Sequence, residues 1–174
     1  MKITGNIIVI VIILSAFSCI KVQTLPPEPF VEYTSFRVFD TIDTLGNENK
    51  GGELKFYFED GDGDLGYLKP EGEEVVDSAN LFFTLYRINN GIISAAPEND
   101  PLRPSNYKLP YMERQGQNKI LKGTISITFM YLFYSREDTI KYEFNIKDRA
   151  GNVSNTASTS IIPLFENGIY TEIN

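Results

Sequence analysis

Alternation of apolar and polar residues is the feature that most constrains how this chain can fold. The clearest inward set is Ile140, Tyr142, Phe144 and Ile146, separated by Lys, Glu and Asn. A period of two places successive side chains on opposite faces of a β-strand. No window shows the 3.6-residue period of an amphipathic helix convincingly. The pattern therefore predicts an all-β protein.

Seven segments carry this strand signal. They are Tyr33–Phe39, Leu54–Glu59, Leu81–Ile88, Ile92–Ile93, Ile120–Leu132, Ile140–Lys147 and Val153–Pro163. The stretch Ala95–Pro110 contains four prolines and is predicted to be a loop with at most an edge strand. About seven short strands separated by turn signals predict an antiparallel β-sandwich.

Two motifs favour an immunoglobulin-like order of these strands. Asp138 stands four residues before Tyr142, and Phe144 follows two residues later. This spacing resembles the tyrosine corner of immunoglobulin domains, in which the hydroxyl bonds to nearby backbone. Residues 148–152, Asp-Arg-Ala-Gly-Asn, resemble the last hairpin turn of bacterial immunoglobulin-like domains. The resemblance implies an immunoglobulin-like sandwich over residues 30–174.

The first 18 residues have the composition of a secretory signal peptide. Lys2 is their only charge, Ile7–Leu14 is apolar, and small residues lead to Cys19. The apolar run is shorter than the ~20 residues that span a bilayer as a helix. A buried core helix is the alternative, but the run has no amphipathic face to pack. We expect residues 1–18 to be removed during export.

Cys19 is the only cysteine, and it stands at the predicted cleavage position. Residues 15–19, Ser-Ala-Phe-Ser-Cys, resemble a lipobox, although Ala16 replaces the commonest Leu and Phe17 is bulky. This resemblance implies that Cys19 is acylated and anchors the protein in outer-membrane lipids. A periplasmic and a surface-facing orientation both remain open. Residues 19–29, with three prolines, are predicted to form a Pro-rich tether, or alternatively an edge strand.

Composition disfavours several classes of function. The formal net charge is −7, which argues against nucleic acid and anionic membrane surfaces as partners. The chain contains no histidine, so it lacks the commonest general base and transition-metal ligand. Acylation of Cys19 would leave neither a thiol nucleophile nor a disulfide. These properties predict a non-enzymatic domain.

An acidic loop, residues 60–66 with the sequence Asp-Gly-Asp-Gly-Asp-Leu-Gly, follows the second predicted strand. Three carboxylates at alternate positions can converge on one hard cation, and Ca²⁺ takes 6–8 oxygen ligands. In the register of an EF-hand loop the ligands would be Asp60, Asp62, Asp64, the Gly66 carbonyl and Glu71. Leu65 replaces the glycine of that loop, and no helices flank it. The pattern predicts a structural Ca²⁺ site outside the EF-hand fold; a solvated turn is the alternative.

Loops that follow strands B and F lie at the same end of an immunoglobulin-like sandwich. If Leu54–Glu59 is strand B and Ile140–Lys147 is strand F, Asp148 and Asn152 should approach the acidic loop. They would then either complete the metal site or shape the hairpin.

Together, three features resemble small Bacteroidetes lipoproteins: the Asp60–Gly66 motif, the Asn80-Leu81-Phe82 strand and the hairpin at residues 148–152. The resemblance implies an envelope location without assigning an activity. We therefore expect a membrane-anchored, calcium-stabilised binding or structural accessory domain, with an envelope protein or a glycan as candidate partner. The alternative is a carbohydrate-active or other hydrolytic enzyme that uses the acidic loop with exposed Tyr67, Tyr107 and Tyr111.

Overall fold

The computed structural model describes residues 25–67, 79–113 and 119–172. These residues form nine strands: β1 (Phe30–Ile42), β2 (Glu48–Asp60), β3 (Leu81–Asn89), β4 (Ile92–Ala95), β5 (Leu121–Tyr131), β6 (Thr139–Ile146), β7 (Ala157–Ser158), β8 (Ile162–Pro163) and β9 (Gly168–Tyr170). Within the same ranges no helix is long and apolar enough to cross a membrane. The predicted signal peptide, Cys19 and Glu71 lie outside the described residues.

The strands form two antiparallel sheets. One has the order β5-β2-β1-β9 and the other β4-β3-β6-β7, with β8 also paired to β6. The first, second and fifth strands thus share one sheet, and the third, sixth and seventh share the other. Strands A, B and E are separated from C, F and G in the same way in immunoglobulin-like domains. The predicted all-β sandwich of this type is confirmed.

The core lies between the two sheets and consists of the predicted inward sets. Leu54 and Phe56 of β2 and Ile140 and Phe144 of β6 are almost completely buried. The Phe56 and Phe144 rings meet across the core with centroids 4.9 Å apart. Burial of apolar side chains of this size stabilises a fold by about 1.5–3 kcal/mol each, so this contact layer fixes how the sheets face one another.

The segment Val153–Pro163, predicted as one strand, is broken into β7 and β8. Two of its hydroxyl side chains accept hydrogen bonds from backbone amides of the neighbouring strand β6. Ser154 Oγ accepts from the Ile146 amide at 3.0 Å, and Thr159 Oγ1 accepts from the Tyr142 amide at 3.0 Å. Ser and Thr compete with ladder hydrogen bonds in this way, which explains why the single strand was a wrong prediction.

Tyr142 does not form the predicted local tyrosine corner. Its hydroxyl donates to the Leu102 carbonyl at 2.8 Å and lies 3.0 Å from the Tyr131 hydroxyl. Leu102 belongs to the long connection between β4 and β5, so the bond fastens a distant loop instead of the adjacent turn. Asp138 is used elsewhere, because it pairs with Arg87 at 2.5 Å.

Candidate metal centre

Asp60 ends β2 on the same face as Leu54 and Phe56, so its side chain enters the sandwich. The residue is 0% exposed. Its Oδ2 accepts a hydrogen bond from the Leu65 amide at 2.7 Å. This bond closes the acidic loop into a compact turn around the carboxylate.

Asp60, Asp62 and Asp64 converge. Each offers a carboxylate oxygen, and these oxygens all lie within 4.8 Å of one another. The Oδ1 atom of each side chain is buried, and no described residue gives it a hydrogen bond. A buried, unpartnered charged oxygen carries a large desolvation cost. Three carboxylates that converge in this way form a donor set suited to a hard cation such as Ca²⁺.

Electrostatics at this cluster disfavour three ionised carboxylates. Burial raises the pKa of Asp60 to about 6, with Asp62 and Asp64 adding to the rise while the Leu65 amide opposes it. Burial also raises the pKa of Asp64, and the negative charges of Asp148 and Asp62 raise it further. A bound cation would reverse this balance by stabilising the ionised forms.

The glycines of the loop have two different roles. Gly63 and Gly66 adopt left-handed backbone conformations, with φ of 69° and 84°, which side chains rarely adopt. Gly61 instead permits a close approach, because a Cβ atom there would overlap the Pro26 carbonyl oxygen and lie 2.6 Å from that of Leu25. The predicted curling of the loop therefore rests on Gly63 and Gly66.

The turn after β6 packs on the acidic loop, as the immunoglobulin-like topology predicts. The second oxygen of Asp64, Oδ2, accepts from the Ala150 amide at 3.0 Å. Arg149 Nη1 donates to the Gly66 carbonyl at 2.6 Å. Sequence reasoning missed Arg149, although its position between Asp148 and Asn152 in the expected hairpin was the available signal.

Asp148 and Asn152 shape this hairpin. Asp148 Oδ1 accepts from the Asn152 amide at 2.7 Å, and Oδ2 accepts from the Asn152 side-chain nitrogen at 2.8 Å. Of the two roles predicted for the pair, these bonds support the structural one. The carbonyl of Gly66, predicted as a metal ligand, faces the guanidinium of Arg149, with which a cation would compete. The carboxylates of Asp60, Asp62 and Asp64 are therefore the core of the site.

The three tyrosines considered for a hydrolytic site have different environments. Tyr107 is partly buried, and its ring packs edge-on against Phe83 and Phe129 at 5.9 Å, so its predicted exposure is wrong. Tyr111 is 44% exposed and lies beneath Arg149. Tyr67 is half-buried beside Lys108. These rings pack against neighbouring side chains, and only Tyr111 keeps the exposure that a hydrolytic surface would need.

Comparison with known proteins gave no match, whether to a family model, a curated protein or a solved structure.

Proposed function

We propose that this chain is a membrane-anchored lipoprotein of the cell envelope whose sandwich is a non-enzymatic binding or structural accessory domain stabilised by Ca²⁺. The anchor rests on the resemblance of residues 15–19 to a lipobox, with Cys19 as the acylated residue. The proposed cation site rests on the carboxylates that converge at the end of β2.

The observation that best supports a cation site is that three buried carboxylate oxygens receive no hydrogen bond from a described residue. Asp60, Asp62 and Asp64 each offer a carboxylate oxygen within 4.8 Å of the others. The Oδ1 atom of each of these side chains is buried and lacks a donor among the described residues. Ca²⁺ prefers carboxylate oxygens and tolerates irregular geometry. When bound, it would supply the positive charge that these groups otherwise lack and would hold the loop closed.

The same burial favours a structural role over hydrolysis. General acid–base chemistry requires carboxylates within hydrogen-bond reach of a substrate. One oxygen of each carboxylate in this cluster, Oδ1, is covered by protein instead. The second oxygen of Asp64 also accepts a hydrogen bond from the Ala150 amide, so this side chain helps to hold the loop against the hairpin.

Calorimetric titration with Ca²⁺ tests directly whether the acidic loop binds the cation, and the unfolding temperature is a second measurement. We expect binding and a higher unfolding temperature in wild-type protein, and loss of both in the double variant Asp62→Asn/Asp64→Asn. The exposed Glu98→Gln variant is the matched control, because it removes one negative charge away from the loop. Absence of binding in millimolar Ca²⁺ would contradict the proposed cation site.

The anchor has its own test. Wild-type protein expressed in a bacterium should enter the detergent phase on phase partitioning and incorporate labelled fatty acid, whereas Cys19→Ser should do neither. Equal partitioning of the two proteins would contradict lipidation. Protease treatment of intact cells then distinguishes a surface-facing from a periplasmic domain.

A further inference from the structure

Segment Leu25–Pro29, the last part of the predicted tether, packs on the acidic loop. Gly61 lies between two of the clustered aspartates, and the carbonyl oxygens of Leu25 and Pro26 occupy the space that a side chain at this position would need. Pro29 is buried at the start of β1. The backbone of this segment therefore contacts the backbone of the loop directly.

This contact depends on the shape of the loop more than on bonds of its own. Leu25–Pro29 makes no hydrogen bond to another described residue, and Pro26–Glu28 are exposed. Gly61 is not among the glycines with a left-handed backbone, so glycine is needed there for space. The segment is held by packing on a surface that the neighbouring aspartates shape.

We propose that the acidic loop is the docking surface for segment Leu25–Pro29, and that cation binding and docking of this segment are thermodynamically coupled. The inference rests on the proposed cation site. Asp60 and Asp62 flank Gly61, so drawing their carboxylates together positions the surface that receives the segment. Linkage requires the reverse effect as well: a docked segment increases the affinity for the cation.

Through this coupling, the cation would control how the domain is oriented on its tether. The chain enters the sandwich at Phe30, beside the acidic loop, and residues 19–29 would connect it to the acylated cysteine. A docked segment fixes the direction in which the domain leaves the membrane. An undocked segment adds about five residues, three of them proline, to the tether as an extended spacer, which lengthens its reach and releases the domain from a fixed orientation.

Spin-label mobility measures docking. The full chain in detergent carries Glu28→Cys for the nitroxide and Cys19→Ser to remove the native thiol. Replacing EGTA by saturating Ca²⁺ should convert a mobile spectrum into a predominantly immobilised one, while calorimetry on the same protein reports binding. Ca²⁺ binding without a change in mobility would overturn the coupling and leave the cation site standing. No Ca²⁺ binding would overturn both.

Gly61→Ala separates docking from the ligands, because it fills the contact and retains all three carboxylates. We expect a mobile label in Ca²⁺ and a dissociation constant for Ca²⁺ raised roughly tenfold, within the range of typical coupling. Gly168→Ala is the matched control, because an added Cβ there meets only ordinary contacts at 3.7 Å and beyond. An immobilised label and unchanged affinity in Gly61→Ala would contradict the coupling. If Gly61→Ala does not fold, the wild-type comparison still decides.

Discussion

Two charged residues stand at opposite ends of β2 on the same inward face, and their surroundings differ. Lys50 is 5% exposed; its ammonium group donates to Asp40 Oδ1 at 2.6 Å and to Asn167 Oδ1 at 2.8 Å. Asp60 is 0% exposed, and its Oδ1 has no partner among the described residues. The nearest charges to Asp60 are further carboxylates. One end of the sandwich closes with a paired charge, and the other closes with an unpaired one.

This difference shows what a complete charged site looks like in the same molecule. At the Lys50 end, cross-strand pairing with Asp40 places the counter-charge directly opposite. At the Asp60 end, the loop brings together three groups of the same sign. Buried charges are retained when they are paired or coordinate metals. The comparison is the reason that we propose a cation at the acidic loop and none at the Lys50 end.

The largest effect is expected for Asp60→Asn, whose sign depends on Ca²⁺. The amide oxygen of Asn can still accept from Leu65, so the turn is kept while one charge is lost. In EGTA at pH 7 the variant should be more stable than wild type, because repulsion and burial of a charge are relieved. Ca²⁺ a hundredfold above the dissociation constant should stabilise wild type by about 3 kcal/mol through linkage and leave the variant unchanged, so the difference between the two proteins should shift by that amount and reverse in sign. Urea unfolding in both buffers measures this; the same sign in both would contradict it.

Protonation of Asp60 should contribute stability to the cation-free protein as the pH falls. The pKa of Asp60 is about 6 in the folded state, above its value near 3.9 in an unfolded chain. The folded state thus binds the proton more tightly, and the free energy of unfolding falls as pH rises from about 4 through about 6. The expected contribution is roughly 2 kcal/mol. Urea titrations in EGTA at several pH values should show it in wild type and not in Asp60→Asn.

Arg149→Met should weaken the contact between the hairpin and the loop while keeping an aliphatic stem. Loss of the charged hydrogen bond to the Gly66 carbonyl removes about 1 kcal/mol of support for the closed loop. We expect Ca²⁺ binding to weaken about fivefold in calorimetry. The control is Arg136→Met, an exposed arginine outside the hairpin. Equal affinities in the two variants would show that the hairpin does not support the site.

The smallest effect is expected at the paired end. Lys50→Met replaces a buried ammonium group with an apolar side chain of similar length. The Asp40 carboxylate, 72% exposed, can be hydrated by water. Replacement of buried ion pairs by apolar groups is often nearly neutral, so we expect a change within about 1 kcal/mol that is the same in Ca²⁺ and EGTA. A calcium-dependent loss would remove the distinction between the two ends.

Short-range patterns predicted most of the fold. Alternation located β1, β3, β5 and β6 to within three residues, because their inward side chains are apolar and their outward ones mostly polar. It found only the second half of β2, which begins at Glu48 and not at the predicted Leu54. It missed β9, whose three residues are too few to show a period. It also joined β7 and β8, since the hydroxyls of Ser154 and Thr159 look like ordinary strand residues until their backbone partners are known.

The candidate site was predictable in part, for the same reason. The spacing of Asp60, Asp62 and Asp64 is local, and it suggested a cation before any contact was known. Arg149 and segment Leu25–Pro29 reach the loop only through the topology, so their contacts could not be read from neighbouring residues. The need for glycine at position 61 likewise comes from a distant carbonyl.

A high-resolution crystal structure grown from Ca²⁺-containing solution tests the central claim most directly. The account predicts anomalous density for a cation bound by Asp60 Oδ1, Asp62 Oδ1 and Asp64 Oδ1 at about 2.3–2.6 Å, the distances typical of calcium. A protein donor or an ordered water network that fills the hydrogen-bonding capacity of these three oxygens, with no cation present, would contradict it.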